Sequence, residues 1–357
     1  MRIALAVGWW RIARAKIAHT KFVRNLICRP LLSVDSPDIW KINPGSSSHF
    51  SSHPSSNFSA SNEKIGVVLD GKLIANDLKS RIAGEVNEMK KAIGKTPGLG
   101  IVLVGERRDS HTFIRTKVKA CNEVGIVSVV AELPNNSKEG DICDAVSRFN
   151  DNPSVHGIIV QLPLPKHLDE EKIMNVVSVE KDVDGFHPLN MGNLAIAGRE
   201  PLFIPCAPKA CLELLLRYGM DLRGKKAAVV GRSKIVGLPT SLLLQRHQAT
   251  VSLVHAFTGN PEKVTCQADI VVSDVGTPNT IRGHWLKPGA VVIDTGTSSV
   301  EDPKRSSGYR LVGDVCYDEA IKKVAAITPV PGGVGPVTIA MLLSNTLDSA
   351  KRCYDFT

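Results

Sequence analysis

From about residue 64 onward the chain alternates two patterns. Short, almost unbroken runs of Val, Ile and Leu give way to longer stretches in which apolar residues return every three or four positions among charged ones. The first pattern suits a parallel strand covered on both faces, the second a helix with one buried face. LGIVLVG (99–105), IVSVVAEL (126–133) and GIIVQLPLP (157–165) read as strands. Between them lie a helix from Ser110 to near Gly125 and a helical stretch containing Ile142, Ala145 and Val146; DEEKIMNVV follows the third strand. After the loop VEKDVDGF and a helix within PKACLELLLRYG, a second series begins: KKAAVVG (225–231), TVSLVH (250–255), DIVVSDVG (269–276) and AVVIDTG (290–296). The chain closes with AAITPVPGGVGP and the helical stretch VTIAMLLSNTLDSAKR. The alternation predicts an α/β fold of two domains with parallel sheets, spanning 63–208 and 209–335. The last helix (336–357) is expected to return to the first domain, since the second series is complete without it. No repeat of solenoid length occurs.

Composition changes this picture only at the N-terminus. The formal charge is +9, but residues 1–60 hold eight Lys and Arg against two Asp, a net of +6. The +3 left over is ordinary for a globular chain, so the charge gives no reason to expect a nucleic-acid partner. The leader is rich in Arg, Ser and Ala and poor in acids, with Ile12, Ala15, Phe22 and Leu26 at helical spacing until Pro30. It reads as an organellar targeting segment, with the mitochondrion as first expectation and a plastid as the alternative. NPGSSSHFSSHPSSNFSASN (43–62) reads as a linker too polar to order itself, so residues 1–62 stand outside the predicted fold. No run of roughly 18 apolar residues suggests a membrane span. The eight cysteines form no C-x-x-C pair, and neither a disulfide framework nor a structural metal is expected.

VVGRSKIVGLP (229–239) falls on a strand–turn–helix, the place where a dinucleotide fold cradles phosphate. Gly231 permits the tight turn and Gly237 close packing of the helix. The spacing is not a regular G-x-G-x-x-G, and taken alone it is weak. Arg232 can meet a 2′-phosphate or merely cap a neighbouring helix. The second strand ends in His255 where an NAD site usually carries an acid. Both features point to a Rossmann-like domain for NADP.

In the first series, Gln161 ends an apolar strand and must find a partner, either a loop backbone or a ligand. Asp182 and Asp184 share the loop before Gly185; a metal pair is conceivable there, but no third ligand is spaced to complete it. ITPVPGGVGPVT (327–338) is too rich in Pro and Gly for regular structure and too apolar for a linker, so it reads as a shaped binding loop. Lys117 follows Phe113 by one helical turn, with Arg115 and Lys119 nearby. By itself it reads most simply as a solvated helix lysine.

Taken together, SHTFIRTKVKACNEVGI, VQLPLP, KDVDGFHPLN, GRSKIVGLP, HWLKPGAVVID, GDVCYDEA and ITPVPGGVGPVTIAMLLSNT resemble the bifunctional methylenetetrahydrofolate dehydrogenase/cyclohydrolase enzymes, in order from about Gly66 to Lys351. The resemblance implies a folate-binding first domain, an NADP-binding second domain and a homodimer. It implies oxidation of the methylene form with NADP+ and hydrolysis of the methenyl form. It makes Lys117 the catalytic lysine and Gln161 its orienting partner, with burial and neighbouring positive charge favouring the neutral amine. It sets Phe113, Asp184, Val330, Pro331, Gly332 and Gly333 against the folate, and adds Ser233, Thr258, Gly276 and Gly296 to Gly231, Arg232, Gly237 and His255 on the cofactor side.

Some positions depart from the family pattern. Phe113 replaces a tyrosine, Ala207 a threonine, Asp274 a small apolar residue, and GTSS (296–299) a Gly-Ile-Asn; Ala256 stands where some relatives use a serine. These departures would favour a second class of function, a weakened folate- and NADP-binding relative serving as a partner or regulatory subunit. Another two-domain NADP oxidoreductase is a third reading, and it fits KDVDGF with PVPGGVGP poorly.

Overall fold

The structure, a computed structural model, describes residues 65–303 and 308–356. The predicted leader, residues 1–62, lies outside them. The described chain opens with β1 (Val67–Val68) and α1 (Gly71–Ile93). Asp70 caps α1 by accepting from the N–H groups of Lys72 and Leu73 at 2.9 and 3.2 Å, two donors the helix itself cannot satisfy. There follow β2 (Gly98–Val104), α2 (Arg108–Val124), β3 (Val127–Leu133), α3 (Glu139–Asp151), β4 (Gly157–Val160), α4 (Glu170–Met174), α5 (Pro188–Ala195) and α6 (Cys206–Arg217). α2 stops where the pattern predicts, at Gly125 in the left-handed conformation (φ 81°). β3, β2 and β4 form a parallel three-stranded sheet in that order.

The second series comprises β5 (Lys226–Val230), α7 (Gly237–Arg246), β6 (Thr250–Val254), α8 (Pro261–Thr265), β7 (Ile270–Ser273), β8 (Val291–Asp294), β9 (Ser298–Glu301), β10 (Tyr309–Val312), α9 (Tyr317–Ala320), β11 (Ala326–Ile327) and α10 (Val334–Cys353). Its parallel sheet runs β1-β11-β8-β7-β5-β6. From β5 the chain steps outward to β6 and then returns to β7 on the other side. The strand order therefore reverses between β5 and β7, which opens a crevice at their carboxyl ends.

Three features differ from the sequence reading. β1 pairs with β11, so the first described strand joins the second sheet although it falls within the expected 63–208 unit. β9 and β10 pair antiparallel, in a stretch to which the sequence pattern assigned no element. β3 is an edge strand, and Val127 and Val129 are 54% and 45% exposed instead of covered on both faces.

Each sheet has its own core. Val102, Ile142, Val146, Phe149 and Ile158 pack about the first, and Ala228, Val230, Val271, Val292 and Ile327 about the second. Each buried Val, Ile or Phe among them contributes about 1.5–3 kcal/mol by leaving water. α10 packs on α1, α6 and α2 and reaches β2 and β4, so the chain does return to the first sheet. Asn345 fastens it there by donating to the carbonyls of Val183 and Ile204 at 2.8 and 3.1 Å, and Ser349 by donating to the His156 carbonyl at 2.6 Å. Among the described residues no helix is long and apolar enough to cross a membrane.

Candidate functional site

Lys117 sits in mid-α2, half-buried, one turn after Phe113, whose ring is 49% exposed. Its amine donates to Gln161 Oε1 at 3.0 Å. Gln161 follows the last residue of β4 and stays in register by donating its N–H to the Val102 carbonyl at 2.9 Å. Its own amide nitrogen donates to the Leu162 carbonyl at 2.7 Å, which turns the oxygen toward the lysine. The sequence left Gln161 between a loop backbone and a ligand; the side chain meets the loop at the Leu162 carbonyl and holds Lys117 with its other end.

The two acids of KDVDGF separate cleanly in space. Asp182 is buried and accepts from the N–H groups of Phe186 (3.2 Å) and His187 (2.8 Å) and from Asn190 Nδ2 (2.8 Å). It holds the loop's shape. Lys181 anchors the same loop by donating to the carbonyls of Phe149, Asn150 and Asn152. Asp184 is walled in by protein yet keeps part of its surface open. Burial raises its pKa from 3.8 to about 6, against the pull of Lys117 and with a further push from Asp182. None of the influences on it is a hydrogen bond. Lys117, Gln161 and Asp184 are thus brought together: a fixed amine beside a carboxylate whose hydrogen-bonding capacity is left for something else.

Sequence reasoning missed the layer beneath. The Cys206 thiol donates to the Val183 carbonyl at 3.3 Å, and burial pushes its pKa well above the usual thiol range. Lys209 donates to Asn345 Oδ1 at 2.8 Å, and Asn345 in turn holds Val183. An asparagine in the apolar run MLLSNT was the available signal, since a buried amide needs partners. Among the described residues no group of three or more His, Cys, Asp or Glu side chains is arranged to hold a metal ion.

The loop 328–333 joins β11 to α10. Gly333 packs directly on Gly71, and Gly332 lies against the Lys72 side chain, so the loop rests on the start of α1. Val330 borders a cleft lined also by Asp294, Arg310 and Tyr317. Pro331 is exposed.

The predicted cofactor residues lie just past the carboxyl ends of β5, β6, β7 and β8. Gly231 ends β5 with φ 117°, and a Cβ there would lie 1.9 Å from the Asp274 carbonyl oxygen. A Cβ on Gly237 would lie 2.5 Å from the Gly231 carbonyl oxygen, so only glycine fits either place. Arg232 and Ser233 are exposed. At the end of β6, the His255 N–H donates to Thr258 Oγ1 at 2.9 Å, making one compact turn. Gly276 donates its N–H to Asp314 (3.0 Å) and Gly296 to Asp294 (2.9 Å).

Comparison with known proteins gives these geometries a context. Residues 69–184 match the profile for the tetrahydrofolate dehydrogenase/cyclohydrolase catalytic domain, and residues 205–354 that for the tetrahydrofolate dehydrogenase/cyclohydrolase NAD(P)-binding domain. The chain is 59% identical over 356 residues to the mitochondrial bifunctional protein FolD 1 of Arabidopsis thaliana, covering 96% of this chain and 99% of that one. It is 59% identical over 308 residues to the chloroplastic FolD 4 of the same plant, covering 86% of each. The crystal structure of the Trypanosoma brucei methylenetetrahydrofolate dehydrogenase-cyclohydrolase, complexed with NADP cofactor and inhibitor, superposes with a TM-score of 0.79 at 44% identity, over 81% of this chain and 98% of that one.

Proposed function

The chain belongs to the tetrahydrofolate dehydrogenase/cyclohydrolase family, and from that premise we propose that it oxidises 5,10-methylenetetrahydrofolate to the 5,10-methenyl form with NADP+ and hydrolyses the methenyl form to 10-formyltetrahydrofolate. The observation that carries this reading is the convergence of Lys117, Gln161 and Asp184. A half-open carboxylate without a hydrogen-bond donor of its own suits the amino-pyrimidine edge of a pterin, which offers paired donors. Phe113, exposed one turn from Lys117, offers a ring to the aminobenzoate. Val330, Pro331, Gly332 and Gly333 form the apolar, Pro/Gly-shaped wall.

The crevice at β5 and β7 fits a dinucleotide: bare glycines where a Cβ would intrude, the exposed Arg232 cation, and no acid at position 255. NADP+, when bound, supplies the acceptor for the hydride that leaves the carbon bridging N5 and N10. Ser233, His255, Thr258, Gly276 and Gly296 belong to the same cofactor side. The protein's part in the first step is to hold two rings face to face. In the second step water adds to the methenyl carbon and its oxygen gives up both protons as the formyl C=O forms, while the bond from that carbon to N5 breaks; one of the two protons goes to N5 and the other is released. Lys117 is the group that takes and returns the proton, and Gln161 keeps its amine from swinging away.

The test is direct. Purified protein given 5,10-methylenetetrahydrofolate and NADP+ forms NADPH and then 10-formyltetrahydrofolate. Absence of NADPH would support the reading as a partner or regulatory subunit.

Two finer assignments belong to the same proposal. The exposed edge of β3, with Val127 and Val129 uncovered, supports a homodimer paired along that strand. The match to the mitochondrial relative spans 96% of the chain and so extends into the leader, whereas that to the chloroplastic relative spans 86%. This supports the mitochondrion as destination.

A further inference from the structure

The turn that fits a dinucleotide already holds an anion of its own. Asp274 lies one residue beyond β7, directly across the crevice from Gly231, and its Oδ2 accepts from the N–H groups of Ser233 at 3.0 Å and Gly237 at 2.9 Å. Those are donors of the turn and of the first residue of α7, the groups that a helix N-terminus presents to phosphate. The fit is close: a Cβ on Gly237 would sit 2.6 Å from that same oxygen. Ser233 Oγ accepts from Val236 N–H at 3.0 Å, closing the turn about the carboxylate.

The backbone carrying Asp274 is pinned on both sides. Its N–H donates to the Val230 carbonyl at 2.6 Å. The next two residues, Val275 and Gly276, donate to the Asp314 carboxylate at 2.7 and 3.0 Å. The Asp314 N–H, in turn, donates to the buried Asp294 carboxylate at 3.1 Å. The carboxylate therefore leaves its seat by rotation of the Asp274 side chain, while the strand end stays where it is.

We propose that Asp274 is an internal competitor for the dinucleotide: its carboxylate occupies the N–H groups of Ser233 and Gly237 that a cofactor pyrophosphate needs, and sets the cofactor affinity of this chain below what the turn alone would give. This rests on seating the dinucleotide at the 231–237 turn. A binding-competent state that is populated a tenth to a hundredth of the time weakens apparent affinity by the inverse of that fraction, about tenfold to a hundredfold. The tax falls on ligands carrying the pyrophosphate and spares those that reach only the adenosine and 2′-phosphate end.

The experiment is equilibrium binding to the full chain, followed by fluorescence for NADPH and by competition for adenosine 2′-phosphate, with thermal midpoints measured beside it. Asp274→Ala is expected to bind NADPH at least about tenfold more tightly while its affinity for adenosine 2′-phosphate changes less than about twofold. Without ligand the variant melts lower, because two N–H groups have lost their cap; saturated with NADPH it regains the parent's midpoint. Asp274→Asn keeps the shape and one neutral acceptor, and its NADPH affinity falls between the two. NADPH affinity unchanged or weakened in both variants, with Arg232→Ala still weakening it, overturns the competitor role and leaves Asp274 a loop brace. If Arg232→Ala also has no effect, the seating of the dinucleotide at this turn falls and the inference with it.

Discussion

Asp184 shows how much one side chain's surroundings decide. Two acids sit two residues apart in KDVDGF, and the sequence offers them as equals. The fold commits Asp182 to Phe186, His187 and Asn190, and leaves Asp184 within the electrostatic reach of Lys117. That distinction was illegible beforehand because it depends on which way a loop turns. It carries a stability consequence. Burial lifts the Asp184 pKa from 3.8 to about 6, so the native state holds this proton more tightly than the unfolded chain does. Stability from this group is present below about pH 4 and is lost as pH rises through about 6. At neutral pH the ionised carboxylate costs up to about 3 kcal/mol. Asp184→Asn should therefore melt about 2–5 °C higher than the parent at pH 8, with no difference below pH 4, while losing folate binding. A lower midpoint at pH 8 would contradict the assignment. Phe113 poses the reverse question. Gln161 already fixes the Lys117 amine at 3.0 Å without help from a tyrosine hydroxyl. Phe113→Tyr is thus expected to change the cyclohydrolase rate by less than about tenfold, the worth of one ordinary hydrogen bond, in a comparison of kcat between the two proteins.

At the scale of elements, the strands and helices were largely readable because both rest on local periodicity. KKAAVVG, TVSLVH, DIVVSDVG and AVVIDTG all became β5 to β8, trimmed by one to three residues at their ends. What was not readable rests on partners distant in sequence. Val67 and Val68 are only two residues, and their strand exists because Ala326 and Ile327 lie beside them. The seat of Asp274 against Ser233 and Gly237 joins positions about forty apart, and nothing in DIVVSDVG signals it. β3 is the informative exception: its composition reads as a buried strand, yet within one chain it is an edge with Val127 and Val129 uncovered. An uncapped apolar edge invites pairing with a second copy. Replacing both, Val127→Lys with Val129→Lys, should convert a dimer to a monomer by light scattering at micromolar concentration. A parent protein that is itself monomeric there would remove this reading of the edge.

For the whole molecule, charge is unevenly divided along the chain. The leader carries +6 of the +9, and the remainder is nearly balanced. Deleting residues 1–62 should leave the melting temperature within about 1 °C and kcat within about twofold, since the two cores and the Lys117–Gln161 pair described above are built from residues beyond them. The same 62 residues fused to a fluorescent protein should carry it to mitochondria; plastid fluorescence would reassign the address and leave the chemistry intact. Among the described residues, the elements around the β3-β2-β4 sheet bring together an amine, an amide and a carboxylate, and the six-stranded sheet carries a glycine-lined turn; in the proposed reaction each has one half. The proposed hydrolysis turns on the Lys117 amine. The measurement that tests it most directly follows both products of the Lys117→Met protein from methylenetetrahydrofolate and NADP+. NADPH should continue to form while 10-formyltetrahydrofolate falls by at least about a hundredfold, the contribution of a positioned proton-transfer group. Formyl product at the parent rate would show that the proton travels by another route and that Lys117 is a surface lysine after all.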